Sequence, residues 1–179
     1  WFVVNCCGAE KAEAAERGMS VYDVCNELVA EALARPSAVI YHPYLAGDMR
    51  LLGATAGFFG ITNTTTKGEL LRAVYEGVAF SLAAGVQELT RQGTKPERVL
   101  LSGGGSKSAV WSQIFADAFG LPVLVAAGSE HGTHGAALCA GIGAGIYADY
   151  HDAATRGVAI ARRHEPDGAA NAATRARYD

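Results

Sequence analysis

The stretch Val99–Val125, VLLSGGGSKSAVWSQIFADAFGLPVLV, constrains the chain more than any other. It reads as an apolar strand, a glycine turn, an amphipathic helix and a second strand. Three successive residues of the turn Ser102-Gly103-Gly104-Gly105-Ser106 lack a Cβ, so backbone N–H groups can come close to a ligand. The spacing predicts a helix that starts near Ser106 as its N-cap, carries Val110, Trp111, Ile114, Phe115 and Phe119 on one face, and ends at Gly120. A helix N-terminus behind a glycine turn bears partial positive charge, which suits a nucleotide or another anionic ligand. Two familiar phosphate-binding patterns do not fit. A Walker A loop requires glycine where Leu101 and Ser106 stand. The dinucleotide fingerprint requires a third glycine where Ser108 stands, and an acid where Ala126-Ala127-Gly128 follow the second strand. From the residues alone, the turn is a ligand cradle or a tight strand-to-helix connection that binds nothing.

The rest of the chain punctuates itself. Residues 10–17 are charged and alanine-rich and suit a short helix. Ser20-Val21-Tyr22-Asp23 resembles a capping box, and Val21, Val24, Cys25, Leu28, Val29, Ala32 and Leu33 then keep a 3.6-residue period, which predicts a helix over 20–34 closed by Pro36. Residues 38–42 read as a strand. Residues 43–61, with four glycines, read as an ordered loop holding one short strand at most, and a loop of that length is often functional. Thr66-x-x-Glu69 is a full capping box opening the longest helix, whose apolar face is Leu70, Leu71, Val74, Tyr75, Val78, Leu82, Val86 and Leu89. A small-residue helix is predicted over 136–147, with Gly141 and Gly145 on a flat packing face, and a last helix over 152–163. Past Pro166 the composition predicts a disordered tail. The order of elements is α/β, with few strands for so many helices.

Composition bounds the function. Half of the 179 residues are hydrophobic and 18% are charged, enough for a packed core. A net charge of -3 without a basic stripe argues against nucleic-acid binding. No apolar run reaches the ~18 residues needed to span a bilayer as a helix. Cys6, Cys7, Cys25 and Cys139 have no C-x-x-C spacing and read as buried, reduced thiols of a cytoplasmic protein. The opening Trp1-Phe2-Val3-Val4, without an initiator Met, reads as the start of a piece of a longer protein. His131 and His134 lack a third ligand, so no metal site is expected. His42 reads as structural, Trp111 as core, and Glu76 and Asp117 as ordinary capping or surface charges. Asp48, in the glycine-rich loop, is the acid singled out as functional.

Ala56-Gly57-Phe58-Phe59-Gly60-Ile61, a seven-residue gap and Glu69-Leu70-Leu71-Arg72-Ala73-Val74-Tyr75-Glu76 resemble the second signature of the FGGY carbohydrate kinases at every constrained position. The stretch LSGGGSKSAVWSQIFADAFGLPV resembles that family's adenosine motif, GTHGAALCAGIGAG its closing helix, and Trp1-Phe2-Val3 a segment shortly after its mid-chain. Gly47-Asp48-Met49 stands where many members read Gly-Glu-Arg, and Thr65 where a His is common.

The resemblance implies an α/β, ribonuclease H-like (actin-like ATPase) domain lacking its first strands, over residues 1–163, with a flexible tail over 164–179. It implies an ATP-dependent kinase that uses Mg²⁺ to transfer the γ-phosphoryl group to a hydroxyl of a sugar or polyol, such as L-xylulose or D-xylulose. Gly103, Gly104 and Gly105 would pack against adenine and ribose, with Ser108 at the adenine edge, and Pro43, Gly47 and Asp48 would line the other side of the cleft. The catalytic base and the phosphate loop would lie outside these residues, leaving the chain alone inactive. No nucleic-acid or membrane partner is implied, and a homodimer is the assembly the reading allows. Two rival readings are a non-catalytic nucleotide- or sugar-sensing domain on the same scaffold, and a structural or oligomerisation fragment.

Overall fold

The structure, a computed structural model, describes residues 1–48 and 52–178. Its spine is α4 (Lys67–Arg91). The Thr66 side chain accepts the Glu69 N–H at 3.3 Å, and the Glu69 carboxylate accepts the Thr66 N–H at 2.8 Å, so two donors a helix leaves open are closed reciprocally. The same device opens α3 (Val21–Leu33) with Ser20 and Asp23. Ahead of it lie α1 (Phe2–Cys6) and α2 (Gly8–Arg17). One core joins Cys25 and Val29 of α3, Leu71, Tyr75 and Ala79 of α4, and Ile114, Phe115 and Ala116 of α5 (Ala109–Phe119). The inward stripes of three helices thus meet on α4. Its predicted apolar face is wider than its buried one: Leu82 and Leu89 are each 50% exposed.

Two small sheets flank these helices. β1 (Ile40–His42) pairs antiparallel with β2 (Gly57–Phe59), where Phe58 packs on Tyr41 at 4.7 Å between ring centroids. β3 (Val99–Leu101) runs parallel to β4 (Val123–Ala126), with Val99 opposite Val123 and α5 as the crossover that parallel strands require. The strand–turn–helix–strand unit read from the sequence is present, with one shift. A 3-10 turn occupies Gly104–Lys107, and Ser108, not Ser106, caps α5.

The C-terminal third departs from the expectation. α6 spans His131–Gly143, earlier than the predicted 136–147, and Gly145 lies beyond it at a φ of +74°. The Tyr147 ring lies against Gly141, which helps close α6 onto α7 (Tyr150–Gly157). The helix expected over 152–163 stops there, and β5 (Ile160–His164) follows, antiparallel to β4. Past Pro166 the chain forms α8 (Gly168–Tyr178) instead of an irregular tail. Asp167 accepts the Ala169 and Ala170 N–H groups at 2.9 Å each, the N-cap bond that an alanine-rich run needs. No helix of the described residues is long and apolar enough to cross a membrane.

Candidate nucleotide site

The site is built where β3 delivers the chain into the glycine turn. Gly103 adopts φ +88°, ψ −167°, a conformation essentially closed to residues with a Cβ. The Ser106 hydroxyl donates to the Gly103 carbonyl at 2.7 Å and closes the turn from within. Arg162, on β5, donates to the Ser106 carbonyl, so the final strand pins the turn from outside. A Cβ placed on Gly103 or Gly104 would meet nothing within 4 Å, whereas one on Gly105 would touch the Trp111 ring at 3.5 Å. The first two glycines therefore present bare backbone to open space, and the third packs inward.

Beside them lies a cleft of 540 Å³ lined by Ser20, Tyr22, Asp23, Asn26, Tyr75, Gly104, Lys107, Ser108 and Trp111. Its floor is aromatic: Trp111 stacks on Tyr75 at 4.4 Å and continues onto Phe115 at 5.7 Å. The indole N–H donates to the Tyr75 carbonyl at 3.0 Å, which fixes the ring plane. Trp111 is thus half-buried core and cleft floor at once. Ser108 is held from three sides. Its hydroxyl accepts the Trp111 N–H at 3.0 Å and donates to Asn26 Oδ1 at 2.7 Å, and its carbonyl accepts the Ser112 hydroxyl at 2.8 Å. The Tyr75 hydroxyl donates to the same Asn26 oxygen at 3.0 Å. Burial pushes the Tyr75 phenol well above its ordinary value, with nearby Cys25 and Cys7 adding to the rise, so it stays a donor.

The residues named from sequence do not all converge. Gly104 and Ser108 line the cleft, with Gly103 and Gly105 in the same turn. Pro43 lies elsewhere, in a groove of 260 Å³ with Tyr41, His42, Gly77 and Arg177. Gly47 takes a φ of +78°, and Asp48 is half-buried in a bridge; Met49 lies outside the described residues. Asn26 and Tyr22 were not anticipated. A polar residue inside the helical period of α3 looks the same in sequence whether it faces solvent or a cleft.

Other readings are corrected by burial. Glu76 is 3% and Asp117 8% exposed, so neither is a surface charge. Glu76 accepts from Arg72 at 2.8 Å and from Arg177. Asp117 accepts from Gln113 at 2.9 Å and from the Asp167 N–H at 2.8 Å; burial pushes its carboxyl up, against these donors. Of the cysteines, Cys7 and Cys25 are buried but Cys6 and Cys139 are exposed. Burial, with the neighbouring Cys7 thiol adding to it, pushes the Cys25 thiol up to about 12, which keeps it a protonated packing group.

Comparison with known proteins shows the family of the chain. Residues 1–144 match the C-terminal domain of the FGGY family of carbohydrate kinases. The L-xylulose/3-keto-L-gulonate kinase of Escherichia coli K12 is 33% identical over 139 residues, 78% of this chain and 28% of that protein. A probable L-xylulose kinase of Haemophilus influenzae is 38% identical over 119 residues, 66% of this chain and 24% of that protein. The crystal structure of xylulose kinase from Rhodospirillum rubrum superposes with a TM-score of 0.78 at 31% identity, covering 94% of this chain and 34% of that one. The chain belongs to the FGGY family of carbohydrate kinases, and its fold is the α/β, actin-like ATPase fold of the C-terminal domain. It spans about a quarter to a third of the length of the relatives it matches.

Proposed function

We propose that this chain is the nucleotide-binding part of an ATP-dependent kinase acting on a pentulose or a related sugar or polyol. The observation that carries the reading is the bare backbone of Gly103 and Gly104 beside the aromatic-floored cleft at the start of α5. A nucleoside needs flat backbone contact, an apolar surface and a few fixed polar groups, and this cleft offers all three. ATP supplies the phosphoryl group; the residues of this chain bind and orient it.

Phosphoryl transfer also needs a base for the acceptor hydroxyl and compensation of phosphate charge. Asp23 is the carboxylate at the cleft, and it is engaged in the capping box of α3, accepting the Ser20 N–H at 3.3 Å. We place the base outside this chain, which leaves the chain alone without turnover. Among the described residues no three His, Cys, Asp or Glu side chains gather as a metal site; the Mg²⁺ of such a reaction would be carried chiefly by the ATP phosphates and water. The pentulose reading rests on the similarity to the L-xylulose and xylulose kinases.

The test is calorimetric titration with ADP of the wild-type protein and of Gly104→Val. A Cβ at Gly104 would meet no protein atom within 4 Å, so the variant should melt within about 2 °C of wild type. Its ADP affinity should fall by about tenfold or more, because the added methyls occupy the space of the nucleoside. Equal ADP affinity in both proteins would sink the site. ATP-dependent phosphorylation of a pentulose panel by the protein at its full natural length then identifies the acceptor.

A further inference from the structure

We infer that Asn26 reads the base of the bound nucleotide, through an amide donor that the fold holds ready for a purine ring nitrogen; this rests on the nucleotide-binding reading above. The orientation of the amide follows from a chain of hydrogen bonds. Ser108 Oγ accepts the Trp111 N–H and gives its own hydrogen to Asn26 Oδ1. The Tyr75 hydroxyl gives its hydrogen to the same oxygen. As the amide is oriented in the structure, its oxygen accepts both hydroxyl hydrogens. The NH₂ is therefore the free end. No hydrogen bond from Nδ2 to a described residue exists, and Asn26 lines the cleft with Gly104 and Trp111.

Ser108 becomes a positioning residue in consequence. Its one hydrogen is committed to Asn26 and its oxygen caps α5, so it has no donor left for the base and orients Asn26. The free amide carries two donors and no free acceptor. It selects a ligand edge that accepts, which an unprotonated purine ring nitrogen does.

The experiment titrates the protein, at its full natural length, with ADP and with ribose 5-diphosphate, which has the same sugar and phosphates but no base. In Asn26→Asp one carboxylate oxygen still accepts from Ser108 and Tyr75, but the amide donors are gone. ADP affinity should fall about tenfold, as expected when a donor is replaced by an acceptor facing an acceptor. Affinity for ribose 5-diphosphate should not change. Asn26→Ala, which removes the amide donors together with the acceptor of the Ser108 and Tyr75 hydroxyls, should give the same split and carries the test if N26D does not fold. Unchanged ADP affinity in these variants overturns the assignment. Equal losses for both probes overturn it too, since the effect would then be charge or misfolding. If wild type binds ribose 5-diphosphate and ADP equally well, the base is not read at all and only this inference fails. If wild type binds neither, the nucleotide-binding reading fails with it.

Discussion

At Gly77 a Cβ would stand 2.2 Å from the Tyr41 carbonyl oxygen and 3.1 Å from its carbon. Helix α4 and strand β1 therefore touch backbone to backbone at this residue. Gly77→Ala should cost about 1–3 kcal/mol or more, because the obstacle is main chain that cannot rotate away. The melting temperature should fall by about 2–4 °C for each of those kcal/mol. Gly85 lies on the same helix with open space around it, and Gly85→Ala should instead stabilise by about 0.4–1 kcal/mol. Thermal denaturation of the two variants checks both signs. In sequence the two glycines look alike, each a small residue in a helical run. What separates them is a carbonyl 36 positions away in the chain. Ser108 shows the reverse case: its place at the turn was legible, but its engagement with Asn26, from a helix far upstream, was not.

At the scale of elements, capping boxes and apolar periods located α3 and α4 to within a residue or two, because those signals are local. β5 escaped because Val158-Ala159-Ile160-Ala161-Arg162-Arg163-His164 satisfies helix and strand patterns about equally, and only pairing with β4 decides between them. α8 carried a readable signal, an Asp before an alanine-rich run, which its position at the chain end obscured. β5 also carries a titratable group. The buried His164 Nε2 has no hydrogen-bond partner among the described residues, and burial, followed by the charge of Arg162, holds the imidazole below its ordinary value against the opposing pull of Asp117. A pKa lower in the folded state than in the unfolded one stabilises above the unfolded value of about 6.5. That contribution is lost as pH falls through the folded value. Wild type should therefore lose more stability than His164→Phe on acidification from pH 7 toward pH 5, and denaturant titrations across that range read the difference. Parallel curves would mean that the ring does not titrate with folding.

At the scale of the molecule, α8 and the segment that follows α3 are tied together across α4. Arg72 donates to the Ala32 and Arg35 carbonyls at 3.0 and 2.6 Å, closing the end of α3, and to Glu76 at 2.8 Å. Arg177 of α8 donates to the other Glu76 oxygen and to the Val39 carbonyl, at 2.7 Å for the latter. The Glu76 side chain is 4% exposed and that of Arg177 18%, so this pairing is shielded from solvent. Arg177→Ala leaves Glu76 paired with Arg72 and should cost about 1.5–3 kcal/mol, the worth of hydrogen bonds involving charged groups. Circular dichroism should report an earlier melt, with the loss of α8 preceding that of the core. The sequence by itself determined the glycine turn, the capped helices, the β3–α5–β4 unit and, through the FGGY signature, the family. Those features are encoded by residues close together along the chain, where propensity, periodicity and capping act. The tertiary structure decided that Glu76 and Asp117 are buried, that β5 pairs with β4 and α8 packs on α5, and that Asn26 shares a cleft with Gly104. Each of these depends on contacts between distant segments, and no local pattern carries that information.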